Sequence, residues 1–410
     1  MEYKRLLQES GIPVHKLPKA FTSDLSKDAA KRCIIPGKWI LQTILAWPDT
    51  DNPYVVAANW FLFINMIVVE IFHATYTVVY RADLGNALLA LATVTTTLEG
   101  LVRFQMIFFK KHLFNDILHK IWKKFWPLSV LSSTKEVEIL KRRCYTTLGL
   151  TIGCYGPAVI CNVVLTLGPY LTGDGLILKS VYPFEWNTTY AYEAVYTWQY
   201  FTQWYILILV NTFDSFAIPM MMICAVQFVV WQDIFRNIFT VGSKKQRLAL
   251  FGKEVNDEEM ISICLEQQNM LFEICQKLEE IFSFAILFQF GNSILALCSS
   301  CVILKVDQSK FFEMFTFAVA HMFQLFNYCY VGSELAVQSE NMAVAIYDCN
   351  WQDSDDLKFK KVLPFMLQRS QKVRNLTAAG ITPLDFISYV KVLRISFSFY
   401  TLLDTLFDSE

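Results

Sequence analysis

The stretch LDFISYVKVLRISFSFYTLLDTLF, residues 384–407, decides the fold. It exceeds the ~20 residues that an α-helix needs to cross the hydrocarbon layer. Even so, Lys391, Arg394, Ser398, Thr401, Thr405 and Asp408 recur at spacings of 3, 4, 3, 4 and 3, which puts them along one helical face. A polar stripe in lipid needs either polar groups on another helix or water. Spacing alone leaves both uses open, and a water-lined pore around a symmetry axis is the favoured one. Leu402 falls between Ser398 and Thr405 and would interrupt the wet face with an apolar ring, the construction of a gate that closes by dewetting. Thr405, Asp404 and Asp408 then stand at the outer mouth. Lys391 and Arg394 would oppose cations in a pore made only of this chain, so partner subunits are expected.

Six further stretches pass the same length test: 54–80, 84–109, 146–171, 200–230, 281–306 and 311–337. The whole 410-residue chain is 54% hydrophobic and only 18% charged, the composition of a protein whose solvent is lipid. Of its 36 basic residues, 29 lie in the long polar segments 1–53, 110–145, 231–280 and 338–383, whereas the connections 81–83, 172–199 and 307–310 hold only Arg81, Lys179 and Lys310. Basic flanks stay in the cytoplasm, so the amino terminus is expected inside and, after seven spans, the carboxyl terminus outside. The expected class is an all-α membrane protein with seven transmembrane helices. Its parts are a cytoplasmic amino-terminal segment 1–53, spans one to four over 54–230 with an extracellular loop at 172–199, spans five and six with cytoplasmic segments over 231–383, and a last helix with a short tail over 384–410.

No apolar core followed by a cleavage site occurs in the first fifty residues, so the first span is expected to direct insertion. The loop 242–258 lacks apolar periodicity and is expected to be flexible. By contrast, Ile263–Leu278 has helical spacing and extends the fifth helix, and Lys358–Lys372 forms an amphipathic helix before the last span. Asn187-Thr188-Thr189 is a glycosylation acceptor on the expected outer side.

Charged residues inside spans are costly and are candidates for function. Glu99 and Arg103 share a helical face and are expected to pair. Asp214 stands beside Asn211, Thr212 and Ser215, a patch that either binds a ligand group or satisfies neighbouring helices. An aromatic, weakly polar set suits a small volatile molecule: Leu91, Thr95, Tyr155, Pro157, Trp204, Tyr205, Ile208, Phe317, His321 and Gln324. Packing and interhelical contacts are the plainer use of each member. Near-zero net charge gives no field for nucleic acid. No phosphate loop, nucleophile elbow or metal-ligand spacing points to an enzyme, a metal or a cofactor. The eleven cysteines fall in spans or cytoplasmic segments, so no disulfide framework is expected, and Cys298-Ser-Ser-Cys301 sits in an apolar run with no residue to tune a thiol.

The run Tyr328-Cys329-Tyr330-Val331-Gly332-Ser333-Glu334, with Ala343, Ile346-Tyr347, Trp351, Leu363, Gln368-Arg369-Ser370-Gln371, Thr382-Pro383-Leu384 and Ser398-Phe399-Tyr400-Thr401-Leu402-Leu403, resembles the carboxyl-terminal signature of insect odorant receptors. The earlier spans match that family in layout. The resemblance implies a heterotetrameric, non-selective cation channel formed with the odorant receptor co-receptor and opened by a small hydrophobic odorant. It further implies an intracellular anchor domain built from helices four to seven, a pore lined by the last helix, and a place in the plasma membrane of the olfactory sensory neuron dendrite. By the same resemblance Leu402 is similar to the family's gate position and Thr405 lies near its filter. Thr405 and Asp404 depart from the residue types expected in the co-receptor, and the co-receptor's long cytoplasmic loop is absent, so the chain resembles an odorant-tuning subunit. Gustatory receptors share the fold, but their final-span pattern of Thr-Tyr followed by Gln-Phe is missing from residues 398–402. A transporter would also carry intramembrane charge, yet no internal repeat is visible.

Overall fold

A polar backbone can enter lipid only when its N–H and C=O groups bond within the chain, which makes long helices the economical answer to seven apolar runs. The computed structural model describes residues 30–47, 52–81, 84–173, 175–306, 308–354 and 357–407. Its helices are α1 (Ile35–Thr43), α2 (Pro53–Val79), α3 (Leu84–Phe109), α4 (Lys111–Lys123), α5 (Thr134–Gly153), α6 (Tyr155–Thr172), α7 (Thr189–Arg236), α8 (Gly242–Phe251), α9 (Asp257–Val306), α10 (Phe311–Tyr347), α11 (Leu357–Ser370) and α12 (Phe386–Phe407). The seven expected spans fall on these helices to within two residues at either end, with α5 and α6 sharing the third. Four of them are long and apolar enough on composition alone to cross a membrane: α2, α5 with α6, α7 and α9. The other three carry Glu99 and Arg103, Glu313 and His321, and Lys391 and Arg394.

Local chemistry sets the helix ends. Asn52 caps α2 through its side chain and Pro53 follows at the first turn, where its missing N–H costs nothing. Ser133 caps α5. The third span is interrupted at Cys154 because Pro157 has no N–H to return to the carbonyl of Gly153. Gly173 ends α6 in the left-handed conformation at φ 74°.

Helix α7 is the axis of the bundle. Every residue from Leu209 to Phe228 is buried, the pattern of a helix surrounded by protein. Helices α9 and α10 pack against it, and near its carboxyl end Trp231 is stacked on Phe235 at 4.7 Å with its indole Nε1 donating to the Cys264 carbonyl at 2.9 Å. Helix α1 lies so close to α7 that a Cβ on Gly37 would meet Phe216 Cα at 2.7 Å. All eleven cysteines are free thiols.

Two expectations change. The segment 242–258 is not loose: α8 occupies 242–251, and the buried Arg247 staples it by donating to Val255 O at 2.9 Å and Ile238 O at 2.6 Å while pairing with Asp257 at 2.6 Å. Helix α7 also begins at Thr189, so the connection after α6 is shorter than 172–199. Its backbone is held by Gln199, which accepts from Leu178 N and donates to Leu178 O, each at 2.9 Å.

A short hairpin, β1 (Thr377–Ala378) antiparallel to β2 (Thr382–Pro383), leads into α12. Asp385 caps that helix by accepting from Ser388 N at 2.7 Å. Among the side chains described in α12, only Ser388, Val392 and Ser396 are buried, and they form one narrow face on α9 and α10.

Candidate functional site

Helices α3, α6, α7 and α10 enclose a cavity of about 90 Å³. Its walls are mostly apolar and small: Ala92 from α3, Ala158 and Leu165 from α6, Ile206, Leu207 and Val210 from α7, and Met314, Phe317 and Ala320 from α10. The polar lining is sparse, with Thr93, Thr96 and Glu99 on α3, Asn162 on α6, Gln203 and Asn211 on α7, and Glu313, His321 and Gln324 on α10. An apolar pocket with a few placed polar groups is the usual form of a small-molecule site.

Beneath it lies a buried network joining four helices. Arg103 pairs with Glu99 at 2.7 Å, and its Nε lies 3.1 Å from Asp214. It also donates to Gln289 Oε1 at 2.9 Å. Gln289 donates to Gln324 at 3.0 Å, Gln324 to Asp214 at 2.8 Å, Tyr328 to Asp214 at 2.6 Å, and Asn292 to Glu99 at 2.6 Å. One guanidinium, with its five donors in a planar fork, balances two carboxylates, and amide and phenol donors occupy their remaining lone pairs. The expected Glu99–Arg103 pair is thus present, and Asp214 is satisfied by other helices of the chain. Gln289 and Asn292 carry the network to α9, which packs against α12.

Of the set read from the sequence, Phe317, His321 and Gln324 come together at the cavity, with the Phe317 and His321 rings edge-on at 4.5 Å. Leu91, Thr95, Tyr155, Pro157, Trp204, Tyr205 and Ile208 are not among its lining residues. Thr95 donates back to Ala92 O at 2.8 Å, and the Tyr155 hydroxyl meets Thr212 Oγ1 at 2.9 Å. Asn162 and Gln203 also line the cavity, outside the set that residue type and spacing pick out. Their cue was an isolated amide inside an apolar span.

On α12 the stripe residues Lys391, Arg394, Ser398 and Thr401 are exposed, as is Leu402, and they face away from the chain's own helices. The side chains of Asp404 and Thr405, and all of Asp408, lie outside the described residues. Asn187 is exposed just ahead of α7. No cluster of three metal-binding side chains occurs among the described residues.

Away from the spans, Lys120 and Lys277 interleave with Asp116 and Glu273, with Lys120 at 3.0 and 2.6 Å and Lys277 at 2.6 Å from both. Burial works against the Asp116 carboxylate, but the two lysines outweigh it and hold its pKa below the ordinary value. Hydrogen bonds from Lys120 and Lys277 do the same for Glu273. Burial also disfavours the Lys277 ammonium, but its carboxylate partners raise its pKa.

The family described as 7tm Odorant receptor matches residues 83–397. Odorant receptor 13a of Drosophila melanogaster is 22% identical over 91% of this chain and 91% of its own length, and odorant receptor 85b is 22% identical over 85% and 90%. The match to putative odorant receptor 92a of the same fly reaches 29% but spans 32% of this chain and 33% of that protein. Among solved structures, the insect olfactory receptor OR5 from Machilis hrabei in complex with eugenol is similar in fold, with a TM-score of 0.73 at 12% identity over 91% of this chain and 99% of that one.

Proposed function

Because the chain belongs to the insect odorant receptor family, we propose that it is the odorant-tuning subunit of an odorant-gated, non-selective cation channel assembled as a heterotetramer with the odorant receptor co-receptor. The cavity among α3, α6, α7 and α10 receives a small hydrophobic volatile. That the relative of similar fold was solved with eugenol supports a small organic ligand here. The amino terminus is cytoplasmic, the carboxyl terminus extracellular, and the assembly sits in the plasma membrane of the sensory dendrite. Asn187 is the glycosylation acceptor.

The observation that carries this reading is the disposition of α12. Its polar stripe faces outward from the chain that makes it, so another subunit or water must complete it. Four such helices around an axis enclose a pore whose wet wall includes Ser398 and Thr405, with Leu402 as its apolar constriction. Ligand in the cavity favours a packing of α3, α7 and α10 that the buried network passes to α9, and α9 passes it to α12. A ligand shifts such an equilibrium only by its preference for the open arrangement.

Cysteine accessibility tests the reading. In cells making both subunits, a water-soluble thiol reagent should modify Ser398→Cys at a rate that rises with odorant, measured against the unsubstituted chain because Cys301 is exposed. Equal, negligible rates with and without odorant would contradict a pore on this face.

A further inference from the structure

The cavity holds hydrogen-bonding groups that the protein leaves unmatched. Neither the Asn162 Nδ2 nor its Oδ1 has a partner, and Gln203 Oε1 also lacks one, although the two residues are only 3% and 5% exposed. Buried amides are nearly always paired, and an unpaired one is costly unless a ligand or water completes it.

The two amides lie at the same depth. Helices α6 and α7 run antiparallel and are tied at the Tyr196 hydroxyl on Thr166 O at one end and at Tyr155 on Thr212 at the other. Interpolating between these ties sets Gln203 level with Cys161 and Asn162. Cys161 Sγ in turn reaches Glu313 O at 3.8 Å, which fixes this level at the start of α10. His321 lies two helical turns deeper, roughly 12 Å along the axis, against Phe317. The cavity therefore has Asn162 and Gln203 beside Glu313 at one end, an apolar body between Leu207 and Phe317, and a second polar group deeper at His321, whose Nδ1 also lacks a partner.

We infer that Asn162 and Gln203 form a hydroxyl seat, and that this chain is tuned to small aliphatic or aromatic alcohols. The inference rests on the cavity's being the odorant site. A hydroxyl donates its O–H to Gln203 Oε1 and accepts from Asn162 Nδ2, which gives partners to two of the three unmatched atoms at once. A ketone, ester or ether can only accept, which leaves Gln203 Oε1 bare, and an alkane leaves both amides bare. A carboxylic acid meets the Glu99 and Glu313 carboxylates that line the same space. An ammonium finds the Glu313 charge already balanced by Lys310 Nζ at 3.4 Å. A site built to hydrogen-bond a hydroxyl rejects analogues that lack one, because its own polar groups are then stranded.

The test compares hexanol with its ether isostere, hexanal and heptane, on the chain with the co-receptor and on the purified chain by ligand-induced thermal shift. Hexanol should act at a half-maximal concentration at least about tenfold below the ether, the size of one well-made buried hydrogen bond. The double variant Asn162→Leu with Gln203→Leu loses no internal bond at these atoms. It should respond to ether and heptane at least as well as before, while its preference for hexanol disappears. Equal potency of hexanol and ether on the unsubstituted chain, or a hexanol preference that survives the double variant, overturns the inference. Hexanol-specific thermal shift without current would leave the seat standing and refute the channel reading. No shift and no current with any of the four would refute the seat.

Discussion

Helices α7 and α12 both carry polar side chains through stretches long enough to cross a bilayer, and they satisfy them in opposite ways. On α7 the polar residues point into the chain: Asp214 is met by Arg103, Gln324 and Tyr328 from two other helices. On α12 Lys391, Arg394, Ser398 and Thr401 point outward, and among the described side chains the inward face is Ser388, Val392 and Ser396. The first arrangement belongs to a helix whose environment the single chain completes. The second belongs to a helix completed by other chains and water. The same residue chemistry thus holds the fold together at the axis and is left for assembly at the rim.

The sharpest way to break this contrast is at the axis. Arg103→Leu strands Asp214 and Glu99 in a buried site, and removing one partner of such a network costs about 3–5 kcal/mol. Thermal unfolding of the purified chain should show it, with Asp214→Leu added to Arg103→Leu recovering part of the loss. Stability unchanged by Arg103→Leu would mean that the network does not hold α3, α7, α9 and α10 together.

The junction between the two regimes comes next. Gly332 on α10 leaves no room for a Cβ, which would collide with the Leu384 carbonyl oxygen where the chain turns into α12. Gly332→Ala should therefore cost about 1–3 kcal/mol as an overpacked contact and displace α12. Reduced surface expression together with altered gating is the expected readout.

A smaller effect is expected at the charged cluster of α4 and α9. Asp116 and Glu273 have pKa values held below the unfolded-state value, so their contribution is full above the ordinary carboxylate range and is lost as pH falls through their depressed values. Lys277 runs the other way: its raised pKa gives a contribution present below the ordinary lysine value and lost as pH rises through the higher one. These groups are partly exposed, so Asp116→Asn should change stability by no more than about 1 kcal/mol, measured near neutral pH and again below pH 4.

At the rim the stability effect should be least. Leu402 is exposed, so Leu402→Ser should move stability by less than about 0.5 kcal/mol while raising basal current in the absence of odorant. A large loss of folded chain with no change in basal current would reverse the contrast between α7 and α12.

The spans were legible because length and hydropathy are properties of sequence alone, and the stripe on α12 because its period matches a helix. Glu99 and Arg103 were legible as a pair for the same reason, being one turn apart. Asp214 was visible as a costly charge, but its partners Gln324 and Tyr328 lie more than a hundred residues away, and no local spacing reports such a contact. Residue type alone makes Tyr155, Trp204 and Tyr205 candidates for ligand contact or for packing, and they are absent from the cavity lining. Which face a span turns inward depends on its neighbours. Asn162 and Gln203 were passed over because a single amide in an apolar run gives no hint of being left without a partner. The order of the α8 segment is invisible in the sequence because it comes from Arg247 reaching Ile238 and Val255, a tertiary staple without an apolar period.

The most direct test of the account is odorant-evoked current in excised membrane patches holding this chain and the co-receptor, bathed in solutions free of nucleotides and G proteins. If the cavity and α12 belong to one channel, hexanol should open cation-selective unitary currents immediately and reversibly. Patches that stay silent until a G protein and nucleotide are supplied, while intact cells respond, would contradict it.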